Sequence, residues 1–261
     1  MDNIILEVKD LRLGFPNKEV LEGVSFTVRE GEVFSLVGES GEGKTLLCLS
    51  LTQLLPKEAY VWGEVNFYEE AQKINLLALR EEEIRRFRGS RISYIFQESL
   101  ASLNPFLRVG YQIEEVLLFH KGLSKREAYL KTLELLEGVG FREPQRVYLS
   151  FPHQISGGEA QRVMIAMALA SEPKLLICDE PTSNLDLTVQ MQILKLLKDK
   201  KQKLGFSILF ITHDLTLVEK FSQRVAIIHQ GEIIEEGETK EIFDNPQAQY
   251  TQRLLASSFR L

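Results

Sequence analysis

Gly38-Glu39-Ser40-Gly41-Glu42-Gly43-Lys44-Thr45 lies between the apolar run Val33-Phe34-Ser35-Leu36-Val37 and the apolar-periodic stretch from Leu46 to Leu55. The order reads strand, glycine turn, helix. The spacing fits G-x-x-x-x-G-K-[ST], a phosphate-binding loop, and the flanking elements are those a true match needs. Gly38, Gly41 and Gly43 remove side chains so that successive backbone N–H groups can point at phosphate oxygens, and the helix N-terminus adds its partial positive charge. Glu39, Ser40 and Glu42 fill the variable positions. Lys44 then reaches the β- and γ-phosphates of a nucleoside triphosphate, and Thr45 offers its hydroxyl to Mg²⁺. A glycine-rich βα turn that binds nothing has the same local pattern, so the rest of the chain decides.

Upstream, Ile4-Ile5-Leu6-Glu7-Val8 and the stretch from Val20 to Val28 read as strands, and Arg29-Glu30-Gly31-Glu32 turns the chain into the strand before the loop. This is an antiparallel opening to an α/β core. Phe15 falls in the loop between those first strands, where an aromatic ring can stack on an adenine; an ordinary loop or core aromatic accounts for it as well. Downstream, Val61 to Tyr68 reads as a strand, Arg80 to Arg88 as a charged amphipathic helix, and Ile92-Ser93-Tyr94-Ile95-Phe96 as a buried strand ending at Gln97. A polar amide at the carboxyl end of a strand lies where α/β proteins place ligands.

From Ser99 to about Ser150 no strand pattern occurs. Val109 to His120 and Ser124 to Gly138 read as helices, the second opened by the capping box Ser124-Lys125-Arg126-Glu127. The expectation is a helical insertion over 99–150 within a core formed by 1–98 and 151–261. His120 has no ligand-spaced neighbour and is expected at the surface.

Ile155-Ser156-Gly157-Gly158-Glu159 precedes a helix whose apolar face is Val163, Ala166, Met167 and Ala170. Ser156 and Glu159 satisfy a helix capping box, while the serine, two glycines and helix N-terminus also make a second phosphate-binding surface. Leu175-Leu176-Ile177-Cys178 is a buried-strand run ending in Asp179-Glu180-Pro181. Paired acids there suit Mg²⁺ chemistry, with Asp179 in the metal's shell and Glu180 as general base toward water. Asp186 opens a long amphipathic helix through Leu204, and the strand from Phe206 to Thr212 ends in His213-Asp214. Val225 to Ile228, a turn at Gln230-Gly231 and Ile233-Ile234 read as a hairpin, followed by helical segments around Lys240 and Gln252.

The 261 residues include 31 Lys and Arg against 37 Asp and Glu, a net charge of −6 without long single-sign blocks, so no electrostatic case exists for a nucleic-acid partner. Cys48 and Cys178 sit in apolar runs and lack C-x-x-C spacing, which favours packed, reduced thiols. With no signal-like N-terminus and no long apolar run, the expected location is cytoplasmic, with any membrane role reached through a partner.

The ordered set Gly38 to Thr45, Gln97, Ser156-Gly157-Gly158, Asp179-Glu180, Asp186 and His213 resembles the nucleotide-binding subunit of an ATP-binding cassette (ABC) transporter across essentially the whole chain. Closer matches point to the oligopeptide, dipeptide and nickel import subfamily. They are Phe96-Gln97 with Ser102-Leu103-Asn104-Pro105, Pro152-His153-Gln154, the run from Arg162 to Ala170, and Asn245-Pro246 with Tyr250-Thr251. The segment from Met164 to Leu169 is similar to the D-type subunit.

The resemblance implies a phosphate-loop ATPase fold with an antiparallel β-subdomain and an inserted helical subdomain, the signature motif lying at 155–159. It implies ATP and Mg²⁺ as ligands, a sister ATPase subunit, two membrane permeases and an extracellular binding protein, with this chain peripheral on the cytoplasmic face. Lys44, Gln97, Glu180 and His213 are the implied catalytic group. Thr45, Gln97 and Asp179 are the implied Mg²⁺ residues, and Phe15 the adenine contact. Ser156, Gly157, Gly158 and Glu159 would face the partner's ATP, and Asp186 would work across the interface. Ile155, Glu159, Asn184 and Glu42 depart from the family pattern. A nickel importer of the same subfamily, an ABC ATPase outside transport, and a nucleotide-binding module that does not hydrolyse are the alternatives.

Overall fold

The computed structural model describes residues 3–70 and 72–258. It divides into two compact units, Met1–Phe87 with Ser207–Leu261, and Arg88–Phe206.

In the first unit, β1 (Ile4–Phe15) and β2 (Lys18–Arg29) form a long antiparallel hairpin joined at Pro16-Asn17. Leu6, Val8, Leu11 and Leu13 are buried on β1 against Leu21, Val24, Phe26 and Val28 of β2. β1 therefore runs to Phe15: the expected loop is a two-residue turn, and Phe15 ends the strand, paired with Lys18. β3 (Val33–Val37) is buried at every position and leads through the glycine loop into α1 (Lys44–Ser50). β4 (Tyr60–Glu69) pairs with β1, and β5 (Gln72–Asn75) with β4, giving a four-stranded antiparallel sheet in the order β2-β1-β4-β5. The charged helix expected over Arg80 to Arg88 shrinks to α2 (Glu81–Ile84), where Ile84 alone is buried, too little apolar surface to sustain more turns.

The second unit opens with β6 (Ile92–Ile95). It continues through α3 (Ser99–Ser102), α4 (Val109–Lys121), α5 (Lys125–Gly138), α6 (Pro144–Leu149) and α7 (Gly157–Leu169) to β7 (Leu175–Asp179), which pairs in parallel with β6, and then α8 (Leu187–Leu204). The capping box of α5 is formed: the Ser124 N–H donates to the Glu127 carboxylate at 2.8 Å and the Glu127 N–H to the Ser124 hydroxyl at 3.4 Å. Tyr148 of α6 is wedged edge-on between Tyr111 and Tyr129, with its hydroxyl donating to Glu114 at 2.8 Å. His120, expected at the surface, is half-buried. A Cβ on Gly89 would lie 2.9 Å from its Nε2, and burial lowers its pKa.

The chain returns to the first unit with β8 (Ser207–Thr212), α9 (Leu215–Phe221), β9 (Arg224–His229), β10 (Glu232–Glu238), α10 (Thr239–Asp244) and α11 (Gln249–Ser258). β8 and β9 flank β3 in parallel, as crossover connections require, and β9–β10 is the expected hairpin. At its turn Gln230 and Gly231 both have positive φ, 50° and 82°, the backbone of a tight two-residue connection. Arg224 is buried at the start of β9. It donates to the Thr27 carbonyl and the Glu32 carboxylate, pairs with Glu236, and lies over the Phe34 ring.

Candidate nucleotide site

The glycines of the phosphate loop have distinct physical reasons. A Cβ on Gly38 would sit 2.6 Å from the Ile228 carbonyl, so only glycine lets the end of β3 lie against β9. Gly43 has φ 84° and would press a Cβ 2.7 Å from Val20. Gly41 has φ 92° but nothing within 4 Å of a Cβ, so the loop is open at that point. Lys44, only 5% exposed, donates from Nζ to the Gly38 carbonyl at 2.8 Å and the Glu39 carbonyl at 2.7 Å. Its ammonium is thereby stretched back across the loop that precedes it. Glu39, Ser40 and Thr45 are exposed around this centre.

Glu42 turns aside. Its carboxylate meets His229 Nδ1 at 3.2 Å, and the imidazole stacks on Tyr250, centroids 3.7 Å apart and planes inclined by 14°. Burial raises the Tyr250 pKa, and the Glu39 and Glu42 carboxylates raise it further. In the same unit, His213 is exposed just beyond β8. The next residue, Asp214, is fixed on both sides, its N–H donating to Thr212 Oγ1 at 3.0 Å and its carboxylate accepting from the Thr216 N–H at 2.8 Å. Phe15 is half-buried at the tip of the β1–β2 hairpin.

The second unit gathers the other predicted residues. Parallel pairing that ends at Ile95 and Cys178 carries both chains off the same edge, and Gln97 Nε2 donates to Glu180 Oε2 at 3.2 Å. Glu180 has φ 44°, a left-handed conformation that is strained for a non-glycine residue and that clusters at functional positions. The Ser183 N–H and hydroxyl both donate to the Glu180 carbonyl and hold that turn. Asp179, the last residue of β7, is 4% exposed. Cys178 beside it is buried, and burial, then the Asp179 charge, drives its thiol pKa far up, which leaves it an inert packed thiol. Asp186 caps α8, its Oδ1 accepting from the Val189 N–H at 3.0 Å.

At the start of α7, Ser156 and Glu159 form the capping box. The Ser156 N–H donates to Glu159 Oε2 at 2.9 Å, the Ser156 hydroxyl to the same oxygen at 3.1 Å, and the Glu159 N–H lies 3.3 Å from the Ser156 hydroxyl. The carboxylate is thus directed back to its own backbone. Its other oxygen accepts from Arg146 of α6 at 2.5 Å. The Ser156 N–H holds the Glu159 carboxyl below the usual carboxylate range; burial opposes this and Arg146 adds to it. Gly157 and Gly158 follow on the first turn of α7, Gly157 exposed and Gly158 half-buried.

These residues fit the ligands the sequence implies. A lysine ammonium held by two loop carbonyls, beside an open left-handed glycine, makes a phosphate cradle. Within the first unit Thr45 carries a hydroxyl, and within the second Gln97 and Asp179 carry amide and carboxylate oxygens; each is a hard donor of the kind Mg²⁺ prefers. The contacts of Arg146 with Glu159 and of His229 with Glu42 and Tyr250 were not legible in the sequence, where Tyr250 stands out only as part of a subfamily-like tail. The partners lie far along the chain or on another element, and no local spacing marks them.

Fold and site together define a phosphate-loop nucleotide-binding protein. The family model described as ABC transporter matches residues 21–183, and the chain belongs to that family. It is 45% identical over 97% of its length to the oligopeptide transport ATP-binding protein OppD of Bacillus subtilis, spanning 71% of that protein. It is 44% identical over 97% of its length to the dipeptide transport ATP-binding protein DppD of Lactococcus lactis, spanning 73%. Against the peptidoglycan transport ATP-binding protein YejF of Agrobacterium fabrum the identity is 46% over 97% of this chain, which spans about half of that relative, 47%. Among solved structures, the dimeric post-hydrolysis state of the ATP-binding cassette MJ0796 bound to ADP and Pi superimposes with a TM-score of 0.76 at 30% identity, covering 90% of this chain and 99% of that one.

Proposed function

We propose that this chain is the ATP-binding and ATP-hydrolysing subunit of an importer of oligopeptides or dipeptides. The observation that carries the hydrolytic part is the contact between Gln97 and a backbone-strained Glu180 beside buried Asp179. The substrate class is supported by the names of relatives such as OppD and DppD.

In this reading the loop N–H groups and Lys44 bind the β- and γ-phosphates, and Phe15 lies against the adenine. Thr45, Gln97 and Asp179 would hold Mg²⁺, which neutralises phosphate charge when bound. Glu180 accepts the proton of the attacking water, oriented by the Gln97 amide, and His213 donates toward the γ-phosphate. Ser156, Gly157 and Gly158 meet the nucleotide held by a second cassette, and Asp186 reaches across that interface. Loss of the γ-phosphate removes contacts made only in the closed pair, so hydrolysis opens it. Among the described residues no helix is long and apolar enough to cross a membrane. In this reading the chain is a peripheral subunit on the cytoplasmic face, beneath two permeases fed by an extracellular binding protein, a role supported by the names of relatives such as OppD and DppD.

The test is to tag Glu180→Gln, trap it with ATP and magnesium in its native cells, and identify what co-purifies from detergent-solubilised membranes. A sister ATPase and two polytopic permeases are expected, with peptide binding by the associated receptor. Soluble proteins or nucleic acid alone would overturn the transporter assignment, and a nickel-binding receptor would overturn the peptide assignment.

A further inference from the structure

The phosphate loop contains two carboxylates, Glu39 and Glu42, in a segment that must accept a polyanion. Unscreened, a fixed negative charge within several ångströms of a triphosphate opposes its binding. Gly41 and Gly43, both with left-handed φ, flank Glu42, and the backbone between them delivers the Glu42 side chain to His229. We propose that His229 is a positioning residue for nucleotide binding: it holds the Glu42 carboxylate off the phosphate path. This rests on the reading that the loop binds nucleotide phosphates.

The imidazole is well placed to do so because it is fixed from both sides. His229 ends β9 immediately before the left-handed Gln230-Gly231 turn. That turn is pinned to β2: a Cβ on Gly231 would lie 2.5 Å from the Val20 carbonyl, and the Gly231 carbonyl accepts from the Glu22 N–H at 2.9 Å. On its face the ring stacks on Tyr250 of α11. Tyr250 packs with Leu254 against the core cluster that contains Val37, Val218, Ile227 and Leu255. The half-buried ring therefore has little freedom, and its Nδ1 remains beside Glu42. An imidazole that carries its proton on Nδ1 donates this bond to the carboxylate. An ordinary exposed ion pair would contribute little to anything. Here the pair acts on a ligand whose charge can be varied, and that separates positioning from simple structural support.

The experiment measures affinities of the purified full chain for ATP, ADP and AMP by calorimetry, in the wild type and in His229→Phe, which keeps a ring against Tyr250 but removes the nitrogen. Expected is a loss of about five- to tenfold for ATP, a smaller loss for ADP and none for AMP. The ATP loss shrinks when salt is raised from about 0.05 to 0.5 M. His229→Asn, which restores a donor, recovers affinity, and so does combining His229→Phe with Glu42→Gln, which removes the charge that needs holding. An equal loss for all three nucleotides, no loss for ATP, or a loss that persists in the Glu42→Gln background would overturn the proposal. If the wild type itself fails to bind ATP, the nucleotide-binding reading falls and the proposal with it.

Discussion

Glu159 lies in the capping turn of α7 that is proposed to face a nucleotide held by a second cassette. A carboxylate there would repel an incoming nucleotide, yet Ser156 and Arg146 occupy both of its oxygens. Its folded-state pKa is depressed, so it contributes stability that is present above the unfolded pKa and is lost as pH falls through the folded one. Glu159→Gln should therefore melt below the wild type at neutral pH, with the difference closing as pH falls below the ordinary carboxylate range. Replacing Arg146 with alanine should move that closure to higher pH, because the carboxyl loses a cation that favours its charged form. Thermal melts across a pH series read both effects. Sequence reasoning found the Ser156–Glu159 box because a capping box is a pattern of four consecutive positions. It did not find Arg146, which approaches from another helix.

At the scale of elements, the glycines separate two causes of constraint. Gly43→Ala meets both a left-handed φ and Val20 at 2.7 Å, whereas Gly41→Ala meets a left-handed φ and open space. The first should cost about 1–3 kcal/mol more stability than the second, measured by urea unfolding. In the helical unit, a Cβ on Gly110 of α4 would lie 2.0 Å from the Tyr148 ring. Gly110→Ala is expected to loosen the contact of α4 and α6 by about 1–3 kcal/mol, and Tyr148→Phe by about 1 kcal/mol through loss of the Glu114 bond. Hydrogen exchange across 109–149 would register the two in that order.

The same scale explains which elements the sequence revealed. α4, α5, α7 and α8 are long and periodic or carry capping residues, and the β9–β10 hairpin is marked by its turn. β5, α3 and α6 are short, with 4, 4 and 6 residues, and are held by neighbours rather than by their own pattern. Phe15 was read into a loop because the alternation of β1 is interrupted by irregular register, which hides its last residues.

Across the whole molecule, distant stretches are tied by groups that no local reading links. Arg224 joins the start of β9 to Thr27 on β2, Glu32 before β3, and Glu236 on β10. The Glu236 carboxyl is pushed up by burial against the opposing pull of Arg224. Removing the cation leaves two carboxylates in a protected position, so Arg224→Met should destabilise the first unit by about 3–5 kcal/mol in denaturant melts. The residues proposed for the chemistry, by contrast, were picked out from local pattern alone: glycine spacing, strand-end acids and a strand-end histidine. Their support, through His229, Tyr250 and Arg146, depends on long-range packing and needed the fold.

In the proposed mechanism Glu180 accepts the proton of the water that attacks ATP. This role is tested most directly by comparing ATP turnover of the membrane complex containing the wild-type chain with that containing Glu180→Gln, alongside ATP binding by each. Turnover at this subunit's site is expected to fall by about a hundredfold or more while ATP is still bound. Turnover unchanged by the substitution, in a complex that binds ATP normally, would contradict it.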